Sequence, residues 1–135
     1  MHVTRFYTTR DGGSAFDEFD FPVSSEFTDA WGNKLRFSDT FACQEVCVYM
    51  APEGVYQSWH NAPTRQFCVM MRGIWEVGTT DGETRRWRAG EVFMPDTVEG
   101  RGHTSRVVEG PVEMFFLPLP DDLYATIVKL IGMTK

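Results

Sequence analysis

The sequence predicts an all-β domain, mostly antiparallel, finished by one short C-terminal helix. Three observations carry this expectation. Short stretches of β-branched and aromatic residues recur between turn signals, the pattern of a barrel or sandwich. Asp81-Gly82 stands between two such stretches, and glycine accepts the positive φ that a tight hairpin turn requires. Near the C-terminus the period changes: Leu123, Ile127, Leu130 and Ile131 follow the i, i+4, i+7, i+8 stripe of an amphipathic helix.

From the N-terminus onward, residues 1–33 show no clean period. Asp11-Gly12-Gly13-Ser14 and the alternation of Phe16, Phe19 and Phe21 with acids read as an irregular arm with one or two edge strands. Residues 34–119 carry the barrel. Strands are expected at Lys34 to Ser38, Ala42 to Met50, Val55 to His60, Gln66 to Arg72, Ile74 to Gly78, Thr84 to Trp87, Glu91 to Met94, His103 to Val108 and Val112 to Leu117. Residues 120–135 then form the helix, with a capping acid in Pro120-Asp121-Asp122 and a stop at Gly132, packed on the barrel exterior. No repeat of solenoid period is visible.

A chain of 135 residues fits one domain, and at that size roughly two thirds of the unfolded surface can be buried. An apolar share of 42%, with 11 Phe and 4 Trp, argues for a packed globule. The net charge of −6 disfavours nucleic acid and anionic membrane surfaces, which call for clustered Lys and Arg. The one basic cluster, Arg85-Arg86-Trp87-Arg88, falls in a predicted strand and reads as a solvated face. No apolar run approaches the roughly 20 residues that cross a bilayer, and the first residues lack the apolar core of a signal peptide. A soluble, cytoplasmic protein is expected. Three cysteines, an odd count, suit a reducing compartment. On one predicted strand, Cys43 and Cys47 would lie about 13 Å apart, too far for a disulfide, and read as buried free thiols.

Two frames carry the candidate chemistry. The first places Gly54, His60, Ala62, Gln66 and Gly73 at the spacing Gly, five residues, His, one residue, Ala, three residues, Gln, six residues, Gly. The second runs Gly90, Pro95, Gly100, His103, Val107. Together they resemble the two motifs of the cupin family, with Ala62 in the slot of the second His, Gln66 in that of Glu and Val107 in that of Asn. The second frame is looser, with one residue fewer before Pro95 and four residues between Pro95 and Gly100. The stretch Trp59-His60-x-Ala62-Pro63-x-Arg65-Gln66-Phe67 is similar to that of a small single-domain cupin group with no firmly assigned reaction.

The resemblance implies a double-stranded β-helix, the jelly-roll barrel of the family. In metal cupins three His and one carboxylate hold a first-row divalent ion. Here the set falls to His60, Gln66 and His103, neutral and three-membered, which would hold zinc, nickel, iron or manganese weakly or leave a metal-free cavity. Dioxygenase chemistry needs a firmly held ion and is disfavoured. The resemblance also points to a homodimer, as does the open edge of a two-sheet barrel.

If His60 points inward, strand alternation lines the cup with Tyr56, Ser58, His60, Gln66, Cys68, Met70, Arg101 and His103, and turns Trp59 outward. Such a lining suits a small organic molecule. The two histidines are expected to face each other across the cup as catalytic acid and base, in isomerase, cyclase or lyase chemistry. The plainer readings stay open: His60 as a satisfied barrel residue, Gln66 as a strand hydrogen bonder, and Arg101 as the ion-pair partner of Asp96 or Glu99 rather than of a substrate carboxylate. A non-catalytic module that binds or senses a small ligand, without metal, is the alternative function. A cup filled by its own side chains is a third.

Overall fold

The structure is a computed structural model and describes residues 1–134. Ten strands and one helix follow in order: β1 His2–Thr8, β2 Ser14–Asp20, β3 Ser25–Thr28, β4 Lys34–Phe37, β5 Cys47–Ala51, β6 Tyr56–His60, β7 Gln66–Gly78, β8 Thr84–Trp87, β9 Val92–Asp96, β10 His103–Pro118 and α1 Asp121–Thr134. Eight strands make one sheet in the order β2-β1-β9-β7-β10-β5, with β6 also on β10 and β8 also on β7. Pairing is antiparallel throughout except for β1 with β9, which is parallel. The result is a barrel-like, mostly β architecture with one C-terminal helix, as the sequence predicts.

Bends in β7 and β10 create the interior. Where two pairs of strands were expected, each partner is one long strand, and the register between them shifts around Val107 to Met114. Gly73 sits at the bend with φ 81. A Cβ there would come within 2.6 Å of the Glu109 and Pro111 carbonyl oxygens, so only glycine permits the close approach. Bulges thus absorb the residues that read as strand breaks. Both halves of the folded hairpin contribute to one core: Cys68, Met70 and Met114 from one side, Trp75, Val77 and Val107 from the other, joined by Phe6, Trp87 and Phe93.

The N-terminal segment departs from expectation. Strand β2 is an edge, but β1 is internal, between β2 and β9. Val3 faces a second core under the helix while Phe6 faces the barrel interior. A strand buried on both faces loses the two-residue alternation that betrays a half-buried one, and buried Arg5 masks it further. The barrel therefore includes residues before 34. Conversely β4 pairs only with β3, in a separate two-stranded sheet.

Strand β5 begins at Cys47 rather than at Ala42, so Cys43 precedes the strand. Both thiols are exposed instead of buried, and only Cys68 lies in the core. The basic cluster of β8 is spent on ion pairs: Arg85 Nη1 lies 2.6 Å from Glu18 Oε1, and Arg86 Nε lies 2.7 Å from Glu76 Oε2. Helix α1 forms with the expected apolar stripe, the Leu123 N–H donating to Asp122 Oδ1 at 2.9 Å, but Gly132 does not stop it: the helix runs on to Thr134, since a glycine within a helix only weakens it. Its Leu123, Ile127 and Ile131 bury against Phe19, Phe67, Val92 and Met94 on the outer sheet face. Lys135, the end of the predicted helix, lies outside the described residues.

Candidate functional site

A cavity of about 250 Å3 opens between the two halves of the folded sheet. Its polar wall is His60, His103, Gln57, Gln66 and Ser105, and its apolar wall is Phe6, Tyr49, Cys68, Trp75, Phe93, Met114 and Phe116, completed by Ala62, Pro63 and Pro95. Among the described residues, no Asp, Glu, Lys or Arg lines it. Of the residues expected there, His60, Gln66, Cys68 and His103 converge.

Tyr56, Ser58, Met70 and Arg101 do not. The β6–β10 pairing explains the first two. His103 pairs with His60 and Ser105 with Gln57, so two steps on β10 match three on β6. The extra residue is a bulge, which reverses the side-chain parity along β6. Gln57 and His60 therefore share the inner side, while Tyr56 is 62% exposed. Met70 is wholly buried in the barrel core. Arg101 lies on the surface with its Nη2 atom 3.7 Å from Asp11 Oδ2, and pairs with neither Asp96 nor Glu99.

The two histidines are neighbours on adjacent strands rather than opposed across the cup, with ring centroids 4.4 Å apart. Gly102, at φ 76, makes this contact possible, because any Cβ there would collide with the His60 carbonyl. Each ring is anchored through Nδ1. His60 Nδ1–H donates to the Ser58 carbonyl at 2.6 Å, since a carbonyl can only accept, and in the neutral ring this puts the lone pair on Nε2. His103 Nδ1 meets the hydroxyl of fully buried Thr97 at 2.6 Å. The ring of His103 also lies 4.6 Å from that of Phe6. Burial first, and the neighbouring His60 second, push the His103 pKa down to about 3, so this imidazole is neutral at physiological pH.

Gln66 is buried, yet its amide has no hydrogen-bond partner among the described residues. Among the described residues no fully buried side-chain polar atom lacks a partner, so the Gln66 amide is open to the cavity. Ser105 Oγ, by contrast, donates to Gln57 Oε1 at 2.8 Å. Burial keeps the Cys68 thiol well above its usual range and raises that of the Tyr49 phenol. Both are neutral, as is His103.

A paired cluster behind the site holds it in place. Asp96 Oδ2 accepts from Arg5 Nη1 at 2.9 Å and from the Tyr124 hydroxyl at 3.0 Å, and its Oδ1 accepts from Arg65 Nε at 2.6 Å. Arg5 also donates through Nε and Nη2 to Asp17, at 2.9 and 2.6 Å. The Ala62 N–H donates to the Thr97 carbonyl at 2.9 Å, one residue beyond Asp96. The cluster thus ties the segment from Ala62 to Gln66 to the end of β9, where Thr97 orients His103. Sequence reasoning left Arg5 and Arg65 without this role. A polar residue that repeats in no pattern gives no sign of the distant carboxylate it will meet.

Two imidazole Nε2 atoms and the Gln66 Oε1 could meet a metal ion, and anchoring Nδ1 to an oxygen is how ligating histidines are usually held. The set has no anionic member, and no group of three His, Cys, Asp or Glu suited to a metal occurs among the described residues. Such a site fits a weakly held ion only. Ala62, which stands in the slot of a second His, lines the same cavity.

No family model matches the chain, and no curated protein matches it. Among solved structures it is similar to protein NMB1881 from Neisseria meningitidis, 18% identical over 58% of this chain and 79% of that one, with a TM-score of 0.44. That likeness is too loose to bear on the fold or the site. No helix is long and apolar enough to cross a membrane among the described residues.

Proposed function

We propose that this chain is a small cupin whose barrel binds an uncharged organic molecule and moves a proton within it. Support for a double-stranded β-helix comes from the folded β7–β10 hairpin and from both motif frames opening on one cavity. The observation that carries the chemistry is the pair of anchored imidazoles 4.4 Å apart. A carbonyl oxygen and its α-carbon are only two bonds apart, so two adjacent rings on one wall can address both at once.

His60, its proton held on Nδ1, is the base: its free Nε2 takes a proton from the α-carbon. With the Thr97 hydroxyl donating to Nδ1, the neutral His103 carries its proton on Nε2 and donates to the carbonyl oxygen as negative charge develops there. The free N–H of Gln66 supplies a second donor to the substrate. In a β,γ-unsaturated ketone, return of the proton from His60 to the γ-carbon of the dienol moves the double bond into conjugation. It releases the proton that His103 shared with the carbonyl oxygen and completes an isomerisation. Loss of a β-substituent instead completes an elimination, with the proton leaving on that group. With no Asp, Glu, Lys or Arg among its described lining residues, the wall favours uncharged substrates.

Incubation with a panel of uncharged aryl and cyclic ketones in deuterated buffer tests this directly, since exchange at the α-carbon reports proton abstraction whatever the final product. Exchange above the buffer rate is expected, lost in His60→Gln and reduced about 100-fold or more in His103→Gln. Binding without exchange would make the chain a carrier or sensor. Neither binding nor exchange across the panel would defeat the reading.

A weakly held divalent ion on His60, His103 and Gln66 is the second reading, favoured by the Nδ1 anchoring. It would supply Lewis acidity to the same carbonyl. Elemental analysis of untagged protein tests occupancy. Calorimetric titration of Ala62→His with Gln66→Glu should show zinc or nickel affinity raised about 100-fold or more over the native chain, because an imidazole and a carboxylate join the set. If the folded double variant binds metal no better, the three residues do not form a ligand set. Three free cysteines accord with a reducing, cytoplasmic setting.

A further inference from the structure

The aromatic rings that line the cavity fall into two groups that differ in burial. Phe6 and Phe93, 1% and 2% exposed, stack on each other, and Phe6 meets the His103 ring at 4.6 Å. Their surfaces are spent on the core and on the histidine. Tyr49 and Phe116, in the same lining, are only half-buried. Rings that served only as packing would be covered as Phe93 is.

Strand register builds this second group. Tyr49 pairs with Met114 and Cys47 with Phe116, so Tyr49 and Phe116 are diagonal neighbours on β5 and β10, a separation that aromatic side chains bridge. Their rings stack at 5.1 Å with planes 20° apart. Trp75, from the other half of β7, meets Tyr49 edge-on at 5.9 Å and ties the corner to the core. The three rings hold one another in place, so a ligand that enters the corner need not order them.

Resting on the reading that the cavity takes an uncharged organic molecule, we propose that Tyr49, Phe116 and Trp75 determine its specificity, and that the substrates are ketones carrying one flat aromatic ring. The histidines address the carbonyl and the α-carbon, and the ring lies in the aromatic corner. Such a ring finds stacked and edge-on partners there together, whereas a puckered saturated ring matches neither geometry. Size points the same way. A cavity of about 250 Å3 is smaller than the roughly 300–1,000 Å3 of drug-sized sites, which leaves room for a single ring with a short side chain.

Calorimetric titration with acetophenone and with cyclohexyl methyl ketone, which differ in the ring alone, tests this. The saturated ketone is the more apolar of the two, so a cavity that sorted by apolarity would prefer it. Acetophenone should instead bind the native chain about fivefold more tightly, the increment that aromatic contacts add beyond buried area. Tyr49→Leu and Phe116→Leu should each bring the two ketones toward equal affinity, and Tyr49→Phe, which keeps the ring, should keep the preference. Thermal unfolding shows which variants are folded, and two leucine positions keep the comparison intact if one of them is not. Deuterium exchange at the acetophenone methyl group, read on the same samples, separates this inference from the proton transfer. Ring preference without exchange would overturn the chemistry and leave the aromatic corner standing. Exchange with equal affinities for the two ketones would do the reverse. A preference that survives in the folded leucine variants, or no binding of either ketone, would also overturn the proposal.

Discussion

Two groups of polar side chains in this molecule, one around buried Arg5 and Asp96 and one around buried Gln66 and His103, differ in how completely their hydrogen bonds are spent. In the Arg5, Asp17, Asp96, Arg65 and Tyr124 cluster the Asp96 carboxylate receives three donors and Arg5 reaches two carboxylates. In the cavity, the His60 Nε2 lone pair and the whole Gln66 amide have no partner among the described residues. A cluster whose groups are matched to one another acts on geometry alone. Groups left open toward a cavity are available to a ligand. The contrast separates scaffold from site without reference to any relative.

The sharpest way to break that contrast is to unbalance the matched cluster. Asp96→Ala strands Arg5 with half its partners gone and frees Arg65 and Tyr124 together. Removing one member of a buried ion cluster typically costs about 3–5 kcal/mol. A loss of that size in urea unfolding is expected, along with a less ordered His103, since Thr97 follows Asp96 directly. A loss below about 1 kcal/mol would mean that the cluster is screened by solvent like a surface pair.

A second test uses acid on the cavity side. The pKa of His103 lies near 3 in the folded chain and near 6.5 when unfolded, so the unfolded state binds its proton first. Its contribution to stability is complete above pH 6.5 and is lost progressively as pH falls toward 3. Between pH 6.5 and 4.5 the loss from this group approaches ~2.5 kcal/mol, at 1.36 kcal/mol per pH unit. Carboxylates titrate in the same range, so the quantity to read is the difference between the native chain and His103→Gln. The two stability curves should converge toward acid. Parallel curves would show that His103 is solvated and free to charge.

The site was legible in the sequence where spacing alone fixes position. His60, Gln66 and His103 stand in frames whose intervals are set by strand lengths and turns, and those intervals survive in the fold. Asp81-Gly82 and the Leu123, Ile127, Ile131 stripe were legible for the same reason: local backbone chemistry determines them. What failed needed knowledge of a partner strand. The bulge that turns Gln57 inward and Tyr56 outward exists only in the register between β6 and β10. The inner position of β1 depends on β9, some 90 residues away in sequence. The β3–β4 hairpin does alternate, at Phe27 and at Leu35 and Phe37, but its strands have four residues each, too few for a period to stand out.

The smallest expected effect gives the cleanest sharpening. Gln66→Leu keeps nearly the same volume and removes an amide that no protein group satisfies. Were the amide structural, its loss would orphan a partner and cost about 1–3 kcal/mol. It has no such partner, so stability should change by no more than about 0.5 kcal/mol, and the apolar replacement beside Cys68 and Phe116 can only deepen local burial. Ligand affinity should move the other way. A substrate carbonyl that met the Gln66 N–H would lose one hydrogen bond in a water-poor cavity, a weakening of about 5- to 10-fold for a bond worth ~1–1.5 kcal/mol. Thermal unfolding and ketone binding measured on the same sample decide the matter. Unchanged stability with weakened binding assigns Gln66 to the ligand, whereas destabilisation with unchanged binding returns it to the scaffold.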